Sequence, residues 1–304
     1  MPLTRRALLT ACGCALLLPG TAAASDWPSW LRSHRQHVAF VVDDGRGGRL
    51  AHRPHEPQPL ASTVHLLHLA AYARAVREGR VDPAERVRVG DWERHLLPLD
   101  RRAHTAALRH LGIRSTNGVT ADDPHTPVAL DDLAAVMTSF ADNTAADFLR
   151  TRLDPSLPSP LGEGLRLVLG RSVEPARYLT DPRLQLEVLG RSPGVSPDEA
   201  RARTTAHGTA AELHRLLRTP VPHLDRRQDL PPGVAALWVK LGTLPGVVTA
   251  AVRVRWEDGR VGTGVVLARE VPQERFADAM GLPAVLRSAL LDPAALREFH
   301  VGLT

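Results

Sequence analysis

Extended, β-branched segments at both ends of the chain constrain its fold more than any other feature of the sequence. Near the start, "HVAFVVDDGRGGRLAHRP" combines an apolar run, a Gly-rich turn and a second extended run, which is typical of a β-hairpin. From residue 236 onwards, "ALWVKLGT", "VVTAAVRVRWEDG" and "RVGTGVVLARE" are further strand-like runs, separated by Leu-Pro-Gly and Glu-Asp-Gly turns. Between these regions, apolar residues recur at three- and four-residue spacing, which indicates helices.

This arrangement predicts an α+β fold. One antiparallel sheet is built from both chain ends and carries flanking helices, and an all-helical lobe is inserted between its strands. We expect the α/β lobe to comprise residues 25–61 and 205–304, and the helical lobe to comprise residues 62–204. Pro- and Ser-rich loops such as "DPSLPSPLGEG" are too short to separate independent domains.

The first 24 residues have the composition of a secretory signal rather than of a fold. A basic start at Arg5 and Arg6, an apolar stretch and a run of small residues ending at Ala24 are typical of a signal peptide, and the paired arginines resemble the twin-arginine type. We therefore expect an exported protein, secreted or held in the cell envelope. Lipoprotein anchoring through Cys12 is the alternative. Because Cys12 and Cys14 both lie in the signal, the mature chain would have no disulfide or thiolate site.

The charge pattern excludes several kinds of partner. Without Arg5 and Arg6 the chain has 36 basic and 33 acidic residues, interleaved in sign, and no basic block with aromatic residues occurs. This pattern argues against nucleic acid as a partner. Beyond the signal, no segment has the composition of a membrane span. We expect a monomer that acts on a small-molecule substrate without a cofactor.

Ser62 and His65, in "PLASTVHLL", form the first candidate catalytic pair. Residues three apart at the start of a helix lie on one face, so the two side chains can reach each other. Serine is a poor nucleophile until a base removes its proton, and histidine, with a free pKa near 6.5, can do so at neutral pH. The alternative is that Ser62 caps the helix and His65 packs beside it.

Two further segments carry candidate polar residues. In "SFADNTAADFL", Asp142 and Asn143 form a short polar connection between two amphipathic helices, which taken alone indicates a capping turn. In "ALWVKLGTLPG", Lys240 lies in an apolar strand just before Gly242 and Thr243. Lys240 is the only lysine in a chain that otherwise uses arginine. A position that keeps lysine under such a bias is expected to need a compact ammonium group.

Taken together, these three segments resemble the serine β-lactamase and penicillin-binding protein superfamily, especially its class A branch. That family has Ser-x-x-Lys, then Ser-Asp-Asn, then Lys-Thr/Ser-Gly on a strand. Ser62 matches the nucleophile, Asp142 and Asn143 match the middle motif, and Lys240 with Gly242 match the third. The resemblance covers residues 26–300 and implies the same two-lobed fold.

The sequence also departs from the family pattern at chemically important positions. His65 replaces the family lysine, and Ala141 replaces the serine of the middle motif, which removes a hydroxyl that shuttles protons. The third motif is Lys-Leu-Gly-Thr. The deacylating Glu-x-x-Leu-Asn element is missing, and Glu174, followed by Pro175, is its nearest counterpart.

We therefore expect a serine hydrolase that forms an acyl-enzyme on Ser62 with His65 as general base. The resemblance implies an oxyanion hole from the N–H groups of Ser62 and Thr243, and substrate binding by Lys240, Asn143 and Gly242. The substrate would be an ester, an amide or a β-lactam-like compound that bears a carboxylate. The alternative is a catalytically eroded protein kept for ligand binding or scaffolding. A metal site on His65 and His68 lacks a nearby third ligand, so we expect none.

Overall fold

The computed structural model describes residues 26–192, 205–221, 223–225 and 230–301, so the predicted signal segment lies outside the described residues. The described α-helices are α1 (Trp27–Ser33), α2 (His65–Arg77), α3 (Val89–Glu93), α4 (Arg101–His110), α5 (Leu130–Phe140), α6 (Asn143–Leu153), α7 (Pro160–Leu169), α8 (Pro175–Thr180), α9 (Pro182–Arg191), α10 (Ala210–Arg218), α11 (Gly281–Leu291) and α12 (Pro293–Val301). The described strands are β1 (Val38–Asp43), β2 (Arg49–His52), β3 (Gln58–Pro59), β4 (Arg86–Arg88), β5 (Pro127–Ala129), β6 (His207–Gly208), β7 (Val234–Leu244), β8 (Val247–Trp256) and β9 (Val261–Arg269). Short 3₁₀ helices span Arg35–His37, Ala61–Val64, Pro98–Asp100 and Gln273–Asp278.

The described residues fall into two compact units. The helical unit comprises residues 67–192, and the sheet unit comprises residues 26–66 together with the described residues from 205 to 301. The division falls within α2, between Leu66 and Leu67. None of the described helices has both the length and the apolar character that a membrane crossing requires.

The sheet unit contains a five-stranded sheet in the order β2-β1-β9-β8-β7. Every neighbouring pair is antiparallel, and the two chain ends meet where Val41 of β1 pairs with Val265 of β9. The prediction of one antiparallel sheet built from both chain ends is confirmed. The two-residue pair β3–β6 and the short pair β4–β5 were not predicted, because runs of two or three residues carry no periodic signal.

One face of the sheet packs against α1, α11 and α12. The core on this face is mostly aliphatic, and its buried residues include Trp27, Leu31, Val252, Val266 and Leu286. Trp27 also donates a hydrogen bond from Nε1 to the carbonyl oxygen of Asp278 at 2.8 Å. This bond ties α1 to the segment that precedes α11, so helices from the two chain ends are held together on the same face.

The opposite face of the sheet is covered by α10. Arg253 of β8 donates from Nε to the carbonyl oxygen of Leu217 at 2.9 Å, and the Thr263 hydroxyl of β9 lies 2.7 Å from His214 Nδ1. Both contacts join α10 to the sheet. The sheet is therefore enclosed between helices on its two faces.

The helical unit has its own apolar clusters. One is formed by α7, α8 and α9 and includes Leu161, Leu165, Tyr178, Leu184 and Val188. In the same unit the buried carboxylate of Asp147 in α6 accepts hydrogen bonds from the Ser159 hydroxyl at 2.6 Å and from the Leu161 backbone N–H. This carboxylate holds the first turn of α7 against α6.

Two leucines of α9 give a matched test of this packing. Leu184 is 4% exposed and belongs to the cluster, whereas Leu186 on the same helix is 69% exposed. We expect Leu184→Ala to lower the free energy of unfolding by about 2–5 kcal/mol, because it leaves a cavity. Leu186→Ala should change it by less than about 0.5 kcal/mol. Urea unfolding of both variants checks this, and equal effects would contradict the packing of α9.

Candidate active site

Ser62 lies in a tightly anchored turn of the sheet unit. It belongs to the 3₁₀ helix Ala61–Val64, which precedes α2, so the α-helix begins three residues after the candidate nucleophile. The Leu60 carbonyl oxygen accepts hydrogen bonds from the Thr63 N–H at 3.1 Å, the Thr63 hydroxyl at 2.6 Å and the Thr249 hydroxyl at 2.9 Å. These bonds fix the turn to itself and to β8.

The residue before Ser62 has an unusual backbone conformation. Ala61 has a φ of 45°, in the left-handed region that residues with a Cβ rarely adopt. Its side chain packs with Val247 and Leu244 at the end of the β7–β8 hairpin. Such a conformation persists only where surrounding contacts impose it, and it occurs often at functional sites.

Gly242 allows β7 to approach this turn closely. A Cβ at Gly242 would lie 2.6 Å from the Ser62 backbone nitrogen and 2.5 Å from the Thr249 hydroxyl oxygen. Both distances are shorter than a normal contact, so only glycine fits at this position without movement of its neighbours. Gly242 and Thr249 are directly paired across β7 and β8, and Thr243 follows in β7 opposite Val248. The structure thus brings Ser62, Gly242 and Thr249 together.

His65 follows the turn as the first residue of α2. Its backbone N–H donates to the carbonyl oxygens of Ser62 and Thr63, and its side chain is buried, with 1% exposed. Ser62 itself is half-buried. His68, one turn further along α2, lies 2.9 Å through Nε2 from the Pro158 carbonyl oxygen.

Lys240 is buried on the same strand as Gly242. Side chains alternate along β7, and Leu237, Val239 and Leu241 pack against the core that contains α1, α11 and α12. Lys240 and Gly242 therefore belong to the opposite face, and Lys240 is 4% exposed. Two residues along a strand span about 7 Å, so Lys240 lies about that far from Gly242, where the Ser62 turn approaches β7.

Asn143 is positioned within the helical unit. It is the first residue of α6, and its Nδ2 donates a hydrogen bond to Asp100 Oδ1 at 2.7 Å. Asp142 caps the same helix by accepting a hydrogen bond from the Ala145 N–H at 3.0 Å. Ala141 ends α5 with a φ of 58°. Burial raises the pKa of Asp100 to about 7, although the hydrogen bond from Asn143 opposes this shift.

Asp142 also belongs to a buried charge network that was not predicted from the sequence. His104 is fully buried, with Nδ1 3.1 Å from Asp142 Oδ2 and Nε2 3.2 Å from Glu93 Oε1. Burial opposes protonation of the ring, but its hydrogen bonds to Asp142 and Glu93 raise the pKa of His104 to about 9. The sequence feature that could have indicated this network is a histidine on the apolar face of α4, which also carries buried alanines and a leucine.

Glu174, the nearest sequence counterpart of the family's deacylating glutamate, is solvent-exposed just before α8. Within the described part of the chain, no three histidine, cysteine, aspartate or glutamate side chains form a group that could hold a metal ion.

Comparison with known proteins places these features in a family. A sequence model of the beta-lactamase enzyme family matches residues 25–221. The class A beta-lactamase of the last common ancestor of Gram-negative bacteria is 20% identical with a TM-score of 0.52, over 88% of this chain and 97% of that chain. A second ancestral class A beta-lactamase is also 20% identical with a TM-score of 0.52, over 87% and 98%. This likeness shows the fold. No curated protein sequence matches the chain.

The buried histidine gives a test of the network. Because the pKa of His104 is about 9 in the folded protein and about 6.5 when unfolded, its contribution to stability is full below pH 6.5 and is lost as the pH rises to 9. We expect His104→Ala to cost about 3–5 kcal/mol at pH 6, because it leaves buried carboxylates without a partner. Exposed His110 of α4 provides the control, and His110→Ala should cost less than about 0.5 kcal/mol. Equal costs in urea unfolding would contradict the network.

Proposed function

The chain belongs to the beta-lactamase enzyme family, and we propose that it is an exported serine hydrolase that forms an acyl-enzyme on Ser62. The observation that carries the proposal is the anchored turn around Ser62. Its backbone nitrogen lies against Gly242 of β7, and buried Lys240 belongs to the same face of that strand. Export by the twin-arginine signal is part of the proposal.

In the proposed reaction His65 acts as the general base. It takes the proton of the Ser62 hydroxyl as the serine oxygen attacks the acyl carbon of the substrate. The bond to the leaving group then breaks, and the leaving group takes that proton from the ring. A water molecule hydrolyses the acyl-enzyme in the second half, giving its proton to His65, which returns it to Ser62. A histidine needs less pKa adjustment for this role than a lysine.

The negative charge that develops on the substrate oxygen needs donors that are already in place. We assign this role to the backbone N–H groups of Ser62 and Thr243. The anchoring of the turn by Leu60, Thr63 and Thr249 supports it, because fixed donors need no reorganisation during the reaction.

Lys240 and Asn143 would select the substrate. The Lys240 ammonium would bind a carboxylate, which favours an ester or amide that carries one. The role of Asn143 rests on the family resemblance.

Because Ala141 supplies no hydroxyl and Glu174 is exposed, we expect the acyl-enzyme of a penicillin to hydrolyse slowly. The same two residues favour the second candidate function, a binding or scaffold protein without turnover.

Labelling with a fluorophosphonate separates the two functions. A serine hydrolase should gain a single adduct on Ser62 that is absent from Ser62→Ala and present in Ser33→Ala. His65→Gln should slow labelling by about 10²–10⁴-fold, the usual contribution of a general base. His68→Gln, on the same helix, should label at the wild-type rate. A folded wild type that stays unlabelled in intact-mass spectra would support the binding function, and rapid labelling of His65→Gln would identify another base.

Exchange of the lone lysine tests its role. A guanidinium is planar and larger than an ammonium, so Lys240→Arg should misplace a substrate carboxylate. We expect acylation by a carboxylate-bearing chromogenic ester to fall by at least about tenfold, since displacement of about 1 Å can cost a hundredfold. The methyl ester of the same compound should be affected less. Arg255→Lys in β8 is the control and should keep both rates. Full activity of Lys240→Arg on both esters would contradict this role.

A further inference from the structure

A cavity lies entirely within the helical unit. Its volume is about 650 Å³, and it is lined by parts of β4, α3, α6 and α8. This volume is within the range of about 300–1,000 Å³ that small-molecule sites occupy. Ser62, His65 and Lys240 are not among the residues that line it.

The wall of this cavity includes a buried aromatic pair. His95 and Phe148 are each 7% exposed, and their rings meet edge to face with centroids 6.0 Å apart. Leu179 of α8 adds an aliphatic surface. These groups offer contact to an apolar body of limited size.

The cavity is lined by more basic than acidic residues. Four arginines and two acids line it, and each acid is already paired with one arginine. Arg152 contacts Glu85 at 2.5 Å, and Arg88 holds Asp91 with bonds of 2.9 and 3.0 Å. The other two arginines, Arg86 and Arg94, are solvent-exposed and form no ion pair among the described residues, so the lining has an excess of two positive charges. Arg94 lies near enough to Asp91 to help lower the pKa of that carboxyl. Guanidinium groups bind carboxylate and phosphate with paired hydrogen bonds.

His95 adds a buried, neutral ring to the wall of the cavity. Its Nδ1 is buried and has no hydrogen-bond partner among the described residues. Burial lowers the pKa of His95, so the ring is neutral at pH 7 and can either donate or accept a hydrogen bond.

We infer that this cavity binds a small organic oxyanion with an apolar body. Arg86 and Arg94 would hold the anionic group, and Phe148 with Leu179 would contact the body. A smaller neighbouring cavity of about 290 Å³ is also lined by Arg94, so this arginine has space on two sides. The inference does not depend on the proposed hydrolase function.

Isothermal titration with phenyl phosphate tests the site, with benzoate, inorganic phosphate and benzyl alcohol as comparisons. Saturable binding of phenyl phosphate or benzoate at one site per chain is expected, and the tighter of the two identifies the anionic group. Inorganic phosphate should bind at least about tenfold more weakly, because it lacks the apolar body, and benzyl alcohol should not bind. Absence of saturable binding by both organic anions would overturn the inference.

Three arginine variants locate the binding. Arg86→Ala and Arg94→Ala should each weaken binding of the preferred anion by about tenfold, because each removes a charged hydrogen-bond donor. Exposed Arg109 of α4 does not line the cavity, and Arg109→Ala should retain the wild-type affinity within about twofold. Equal affinities of all three variants would overturn the inference and place the anion elsewhere. Fluorophosphonate labelling of Ser62 should be unchanged in each.

Discussion

The carbonyl oxygen of Leu60 is the point on which the geometry of the sheet unit's candidate site depends. It gathers three donors, two from Thr63 and one from Thr249, and so fixes the Ser62 turn to β8. Because Thr249 is paired with Gly242, the same contact determines where β7 meets the turn. The side-chain alternation of β7 then assigns Lys240 to the face of Gly242. A slip of one residue in this register would turn Lys240 towards the core.

The sheet was predictable because its strands are long and distinctive. The runs that became β1, β7, β8 and β9 are β-branched and end at recognisable turns, so their identity did not depend on tertiary contacts. The 3₁₀ turn at Ser62 was harder to predict from the sequence. The local pattern indicated a serine at the start of a helix, but the φ of Ala61 is imposed by packing and by the bonds to Leu60, which no local pattern reveals.

The charge network of the helical unit was hidden for a different reason. Glu93 lies 11 positions before His104 and Asp142 lies 38 positions after it, and the three meet only in the folded unit. Each residue alone fits an ordinary helix or turn. The histidine among the alanines of α4 is visible in the sequence. The rise in its pKa, however, comes from two carboxylates that are distant along the chain. Candidate motif residues could thus be found from spacing, whereas the groups that hold them could not.

Burial alone does not explain why Lys240 is the only lysine. Arg253 and Arg150 are 5% and 9% exposed, so this chain does bury arginine. In both cases a guanidinium faces several acceptors: Arg150 bonds Asp147 at 3.1 Å and the Pro155 carbonyl at 2.6 Å, and Arg253 bonds the Leu217 carbonyl and Asp225. A guanidinium has several N–H donors in one plane, so it is favoured where acceptors are spread around it. An ammonium acts instead as a compact point charge. We therefore attribute the retention of lysine at buried position 240 to a need for a compact ammonium in place of a planar guanidinium.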